Sequence, residues 1–368
     1  MPDQPSKGLF LLAAGGTGGH LFPAEALGVE LVARGAQVAL MTDARIGQSD
    51  WASRFPGEVY TITAGTVTGS GVIAKVIGGA KLLKGTQEAY ALIGRLKPRA
   101  VVGFGGYPTV PPVIAASLRG VPTLIHEANA VMGRANRFLA ARATAIATGF
   151  PPHAPTFPDK TQFTGNPVRK PVLLAAHVPY GAPGRDAPFH LLVFGGSLGA
   201  RVMSDVVPSA IQHLSEGLRK RLHITQQARD EDVSRVSKLY KALGVAHEVK
   251  PFFADLPHCI AAAHLVISRA GAMTVTELSV IGRPAILVPL PGALDQDQAM
   301  NAAVLVQAGG AMSMPQSAFT PMSLAEVLER KAANPDRLSE MAASAKSIGF
   351  SDADARLATH VLSIPRHG

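Results

Sequence analysis

Three glycine clusters, and the titratable side chains beside them, are where this sequence could do chemistry. Gly15-Gly16-Thr17-Gly18-Gly19-His20 follows an apolar run from Gly8 to Ala14, and Gly195-Gly196-Ser197-Leu198-Gly199 follows His190 to Phe194. Glycines between a strand and a helix bring backbone N–H groups close to a ligand, and a helix N-terminus favours an anion. One such loop could be no more than a tight turn; two at equivalent places point to a bound phosphate or diphosphate. A third cluster, Gly103-Phe104-Gly105-Gly106-Tyr107-Pro108-Thr109, follows the apolar run Ala100 to Val102. It would line the same strand-end crevice, where open α/β sheets bind ligands. His20 stands at a glycine-flanked turn, a poor place for a packed core histidine, and imidazole titrates near neutral pH.

Other chemistries are disfavoured by what the loops lack. Neither reads G-x-G-x-x-G: Leu21 stands where the first would need its last glycine, and the second fails at Ser197. That argues against a nicotinamide or flavin dinucleotide. No lysine follows the glycines in the Walker manner, which argues against an ATPase. Asp295-Gln296-Asp297 is formally D-x-D, a pattern that can bind Mg²⁺. So short a match recurs by chance, and no metal is assigned to it. No Cys/His cluster is spaced for zinc.

The elements that must hold these loops follow from the apolar pattern. Gly8 to Ala14 reads as a buried strand, Ala24 to Arg34 as a helix ended by Gly35, and Gln37 to Thr42 as the next strand. This alternation predicts a parallel sheet covered by helices. The unit of strand, Gly-Gly-hydroxyl-x-Gly and helix occurs twice, which predicts two Rossmann-like domains in tandem. Pro151 to Pro158 and Pro179 to Pro188 read as loops. The boundary is expected within Gly165 to Lys170, giving domains 1–165 and 166–345. A last helix, about 346–368, is expected to pack back on the first domain.

Composition bounds the rest. The chain has 368 residues, 47% of them apolar, enough for two cores, and only 17% charged, so it is not disordered. Cys259 is the single cysteine, so no disulfide forms within the chain, as suits a reducing cytoplasm. The net charge of +9 favours an anionic partner: nucleic acid, anionic lipid or a phosphorylated substrate. With 5% aromatics and no basic stretch interleaved with them, nucleic acid is the weakest of these. No apolar run approaches the roughly 20 residues of a membrane span.

Seven motifs, in order, resemble those of the MurG family, bacterial transferases of glycosyltransferase family 28, along nearly the whole chain. They are Gly15 to Pro23; Gly105-Gly106-Tyr107-Pro108-Thr109-Val110-Pro111; His126-Glu127-Ala128-Asn129; Gly165-Asn166-Pro167-Val168-Arg169; Gly195 to Ala200; Ser268 to Glu277; and Asp297-Gln298-Ala299-Met300-Asn301-Ala302. The resemblance implies an α/β, GT-B fold, two Rossmann-like domains with parallel sheets facing across a cleft. The C-terminal domain would hold UDP-N-acetylglucosamine and the N-terminal domain the lipid acceptor. The implied reaction is inverting: N-acetylglucosamine moves to the 4-hydroxyl of undecaprenyl-diphospho-N-acetylmuramoyl pentapeptide (lipid I), giving lipid II for peptidoglycan. No cofactor is implied. The alternatives are another GT-B glycolipid transferase, a UDP-N-acetylglucosamine epimerase, or a binding module without turnover.

By the same resemblance, residues acquire roles. Glu277, expected in the first turn of a helix, would accept hydrogen bonds from the ribose hydroxyls. Arg269, Gly271, Ala272, Met273 and Thr274 would surround the nucleotide, and Ser197 would donate to phosphate. Phe253 replaces the family's usual isoleucine beside the uracil, and Leu256 a frequent methionine, both preserving an apolar wall. Gln298 and Asn301 fall around the donor sugar, whereas Asp297 and Leu198 depart from the family pattern. Thr17, Gly18, Gly19, Asn129 and Arg169 match donor- and cleft-contacting positions. His20, Gly105, Gly106, Tyr107 and Glu127 fall on the acceptor side. The base that takes the acceptor's proton is His20 or, alternatively, Glu127; His20 could instead orient acceptor phosphate. Val72, Ile73, Lys75, Ile77, Lys81, Leu82, Leu83 and Lys84 combine apolar and cationic groups that could dip into an anionic membrane surface. The expected location is peripheral, on the cytoplasmic face of the bacterial inner (plasma) membrane, with cell-wall synthesis or division proteins as candidate partners.

Overall fold

A computed structural model describes residues 8–64, 72–184, 186–196, 199–292 and 297–365, with the backbone alone at 72–76. The chain divides into two compact units, Met1–Arg169 with Ser351–Gly368, and Lys170–Phe350.

Unit 1 runs β1 (Leu9–Ala13), α1 (Gly18–Ala33), β2 (Gln37–Asp43), α2 (Ala44–Gly47), β3 (Glu58–Ile62), α3 (Val72–Leu96), β4 (Ala100–Gly103), α4 (Val110–Leu118), β5 (Thr123–Glu127), α5 (Arg134–Ala140), β6 (Ala145–Thr148) and β7 (Thr161–Phe163). The seven strands form one parallel sheet in the order β3-β2-β1-β4-β5-β6-β7. Its central strands β1 and β4 are nearly continuous apolar runs, buried on both faces, whereas the edge strands β3 and β7 are partly polar and exposed. The chain order reverses between β1 and β4, so the turns after these two strands flank the crevice where such sheets bind ligands.

Unit 2 runs α6 (Lys170–Ala175), β8 (Phe189–Phe194), α7 (Arg201–Gln212), α8 (Glu216–Arg221), β9 (Leu222–Gln227), α9 (Asp230–Ala242), β10 (Ala246–Lys250), α10 (Leu256–Ala262), β11 (Leu265–Ser268), α11 (Ala272–Ile281), β12 (Ala285–Leu287), α12 (Asp297–Gln307), β13 (Ala311–Ser313), α13 (Pro321–Ala332) and α14 (Pro335–Ser347). Its six strands are parallel in the order β10-β9-β8-β11-β12-β13, with the reversal between β8 and β11. Helix α15 (Ala353–Ser363) belongs to unit 1, where Leu357, Ala358 and Val361 join the core against α1. Arg34, which caps the C-terminus of α1, donates to Ala355 O and Thr359 Oγ1 and fixes that packing.

Helix α1 corrects one expectation. It starts at Gly18, not Ala24, although Pro23 lies inside it. Pro23 has no N–H to give the Gly19 carbonyl, so the helix forgoes that one bond near its start. The correction makes Gly18, Gly19 and His20 the first three helical residues.

Candidate active-site elements of the two units

In unit 1 the site is built at the carboxyl ends of β1, β4 and β5. His20 occupies the first turn of α1, and its Nδ1 lies 3.2 Å from Gly15 O. A carbonyl only accepts, so Nδ1 carries the proton and Nε2 keeps its lone pair. Burial holds the imidazole below its usual pKa, opposed in part by the Gly15 hydrogen bond. The positive end of α1 disfavours a cation there as well. The ring rests on the turn after β4: a Cβ added at Gly105 or Gly106 would lie 3.4 Å from it, and both glycines have positive φ, at 86° and 75°. Glycine is therefore needed at this wall for its left-handed conformation. Tyr107 follows, with its side chain exposed.

Two further titratable groups lie on β5. His126 is fully buried, with Nε2 3.2 Å from Gly165 O and its ring against Phe104. Burial is the main cause that lowers its pKa to about 4; the Gly165 bond opposes the shift and His20 adds to it. Glu127 is 5% exposed. Its Oε1 accepts from Asn129 N (2.9 Å) and Asn129 Nδ2 (3.1 Å), and its Oε2 from Gly133 N (2.9 Å) and Asn136 Nδ2 (2.8 Å). Burial raises its pKa, and these four donors oppose the rise. The carboxylate thus ties down the turn between β5 and α5. Asn136, which no sequence motif marks, also donates to His126 O at 3.0 Å. The Arg169 guanidinium lies 3.7 Å from the centre of the Phe22 ring. Thr17, Gly18 and Gly19 open α1 beside them.

In unit 2 the corresponding turns follow β8 and β11. Gly195 N donates to Gln227 Oε1 at 3.0 Å, and a Cβ at Gly195 would come within 2.2 Å of Ala200 N. Ser197 and Leu198 lie outside the described residues, as do Asp295 and Gln296. Gly271 caps α11, and the first helical residues Ala272, Met273 and Thr274 leave N–H groups without intrahelical partners. Glu277 is 7% exposed and falls in the second turn of α11, not the first. Asn301 is fully buried and its Nδ2 donates to Ala270 O (3.2 Å), holding the turn before α11. Gln298 Oε1 accepts from Leu290 N at 3.0 Å. Arg269 points away from α11: its Nη1 donates to Val288 O and Pro289 O, both at 3.1 Å, and its Nη2 to Gln316 Oε1 at 2.6 Å. Phe253 is 7% exposed, whereas its neighbour Phe252, which sequence reasoning passed over, is 69% exposed.

The α3 residues divide along the helix. Ile77 (51%) and Leu83 (62%) are exposed, as are Lys81 and Lys84, while Leu82 packs against the core. The side chains of Val72, Ile73 and Lys75 lie outside the described residues. Among the described residues no helix is long and apolar enough to cross a membrane.

The chain matches known proteins over both units. The glycosyltransferase family 28 N-terminal domain matches residues 10–148 and the family's C-terminal domain residues 190–357. A UDP-N-acetylglucosamine–N-acetylmuramyl-(pentapeptide) pyrophosphoryl-undecaprenol N-acetylglucosamine transferase of Nitrobacter hamburgensis is 54% identical over 362 residues, 97% of each chain. The protein of that name from Mesorhizobium japonicum is 56% identical over 355 residues, 96% of this chain and 94% of its own. The crystal structure of Acinetobacter baumannii MurG superposes with a TM-score of 0.77 at 31% identity, covering 97% of this chain and 99% of that one. A Neisseria meningitidis UDP-GlcNAc 2-epimerase, at 13% identity and a TM-score of 0.67, shares the fold alone.

Proposed function

The chain belongs to glycosyltransferase family 28, and from that membership and the two strand-end sites we infer that it transfers N-acetylglucosamine from UDP-N-acetylglucosamine to lipid I, giving lipid II for peptidoglycan. The observation that carries this reading is the run of high identity over nearly the whole length of transferases bearing that name. Unit 2 takes the donor. The N-terminal N–H groups of α11 face the diphosphate, Glu277 the ribose hydroxyls, and Phe252 is the exposed aromatic available to the base. Such preset donors suit a leaving group whose charge grows as its bond breaks.

Unit 1 takes the acceptor. His20 Nε2 removes the proton of the 4-hydroxyl while that oxygen attacks the anomeric carbon from the side opposite the diphosphate. The bond from that carbon to the phosphate oxygen breaks, its electron pair leaves with UDP, and the α-linked sugar becomes β-linked. The neutral imidazole, protonated at Nδ1 and held by Gly15 O, supports His20 as the base. Glu127 already accepts four hydrogen bonds, which supports a positioning role for it.

The exposed Ile77 and Leu83, with Lys81 and Lys84 beside them, support α3 as the contact with an anionic bilayer. Leu118 on α4 and Phe138 on α5 are exposed as well. The protein would then act peripherally, at the cytoplasmic face of the membrane. The test is turnover with UDP-N-acetylglucosamine and a lipid I analogue with a shortened prenyl chain. UDP released only when the acceptor is present, with a β-1,4-linked disaccharide product, is the expected result. Epimerised donor without transfer would overturn the reading.

A further inference from the structure

We propose that Arg269 is a positioning residue of the nucleotide-sugar site, tying the turn before α11 to the neighbouring strand ends rather than touching the diphosphate. This rests on the reading of unit 2 as the donor unit. A cation one residue after a strand, at a glycine turn, reads in sequence as a phosphate ligand. The structure aims it elsewhere. The side chain is 8% exposed, and both Nη1 protons are taken by Val288 O and Pro289 O. Nη2 donates to Gln316 Oε1. Val288 and Pro289 follow β12, and Gln316 lies just beyond β13, so one guanidinium joins the carboxyl ends of three adjacent strands.

The turn is held from its other side as well, by Asn301 Nδ2 on Ala270 O. Between the two clamps sit Arg269, Ala270 and Gly271, the residues that set where α11 begins and hence where its free N–H groups and Glu277 point. On the far side of the network, Pro289, Leu290 and Gln316 line a pocket of about 530 Å³. Leu290 N in turn donates to Gln298, one of the residues matched to the donor sugar. Arg269 thus fixes the nucleotide turn against the wall that carries Gln298. A planar fork with several donors can do this; a lysine, one compact charge with the same sign, cannot make the same three bonds at once.

The experiment compares wild-type protein with Arg269→Lys, Gln316→Leu and the double variant. It measures donor KM, kcat, and inhibition by UDP and by uridine. Loss of hydrogen bonds to a charged group should raise donor KM about tenfold in Arg269→Lys, with kcat within about threefold. Gln316→Leu, which removes one of the three bonds, should raise it about threefold. The double variant should be no worse than Arg269→Lys alone, because the two residues act as one unit. Uridine and UDP inhibition should weaken by the same factor, since a displaced turn affects ribose and phosphate contacts together. Weakened UDP with unchanged uridine would mean a direct diphosphate contact and would overturn the proposal. So would a wild-type-like Arg269→Lys, or a Gln316→Leu variant without effect. If Arg269→Lys does not fold, as judged by circular dichroism, Gln316→Leu decides. Failure of the wild type to bind UDP would overturn the reading of unit 2 itself; normal wild-type binding with unaffected variants would overturn this inference alone.

Discussion

Acid should destabilise unit 1 in part through the buried imidazole of His126, the share that a non-titrating variant isolates. His126 has no exposed surface, and burial, the largest cause, lowers its pKa to about 4 from an ordinary value near 6.5. Above pH 6.5 the side chain is neutral in both folded and unfolded chains and pH does not matter. Between about 6.5 and about 4 the unfolded chain binds a proton that the folded chain refuses, so stability falls as pH falls. Below about 4 both bind it and the loss levels off. At about 1.36 kcal/mol for each pH unit, the whole window is worth about 3 kcal/mol. His126→Gln keeps a donor for Gly165 O and cannot titrate. Trp51, the single tryptophan, lies in unit 1, so its fluorescence during urea unfolding reports this unit. Between about pH 7 and about pH 4 the wild type should lose about 3 kcal/mol more than the variant. Carboxylates elsewhere titrate in both proteins and cancel in the difference. Parallel stability curves would refute the reasoning, because they would mean that His126 takes its proton without cost.

Four further outcomes follow. His20→Ala should lower kcat by about 10²- to 10⁴-fold, the usual contribution of a positioned base, with donor KM little changed. In the wild type the acid limb of kcat/KM should fall below pH 6.5, because burial lowers the His20 pKa; a limb above 6.5 in the pH–rate profile would contradict this. Glu127→Gln puts an NH₂ group where two donors now point, and should cost unit 1 about 1–3 kcal/mol in urea unfolding; an unchanged midpoint would argue against the four-donor arrangement. Replacing Ile77 and Leu83 together by Glu should release the protein from vesicles rich in anionic lipid while leaving turnover of a short-chain soluble acceptor within about twofold; retained vesicle binding in a flotation assay would move the membrane contact off α3.

What the sequence determined by itself was local. A strand, a glycine turn and a helix are specified by neighbours in the chain. The turns after β1 and β8, and the parallel α/β character of both units, could therefore be read directly from apolar runs and glycine spacing. Where a local rule had an exception, reading failed locally too. Pro23 hid the true start of α1 at Gly18, and Glu277 fell one turn deeper into α11 than its motif suggested. Tertiary structure decided what each polar side chain does. Glu127 and His126 are adjacent on β5, yet one is held by four donors and the other is sealed under Phe104. Arg269 turns to Gln316, 47 positions along the chain, instead of toward the glycines beside it. A buried polar group must find partners wherever the fold supplies them. Those partners come from other strand ends, so no spacing within the motif could have announced them.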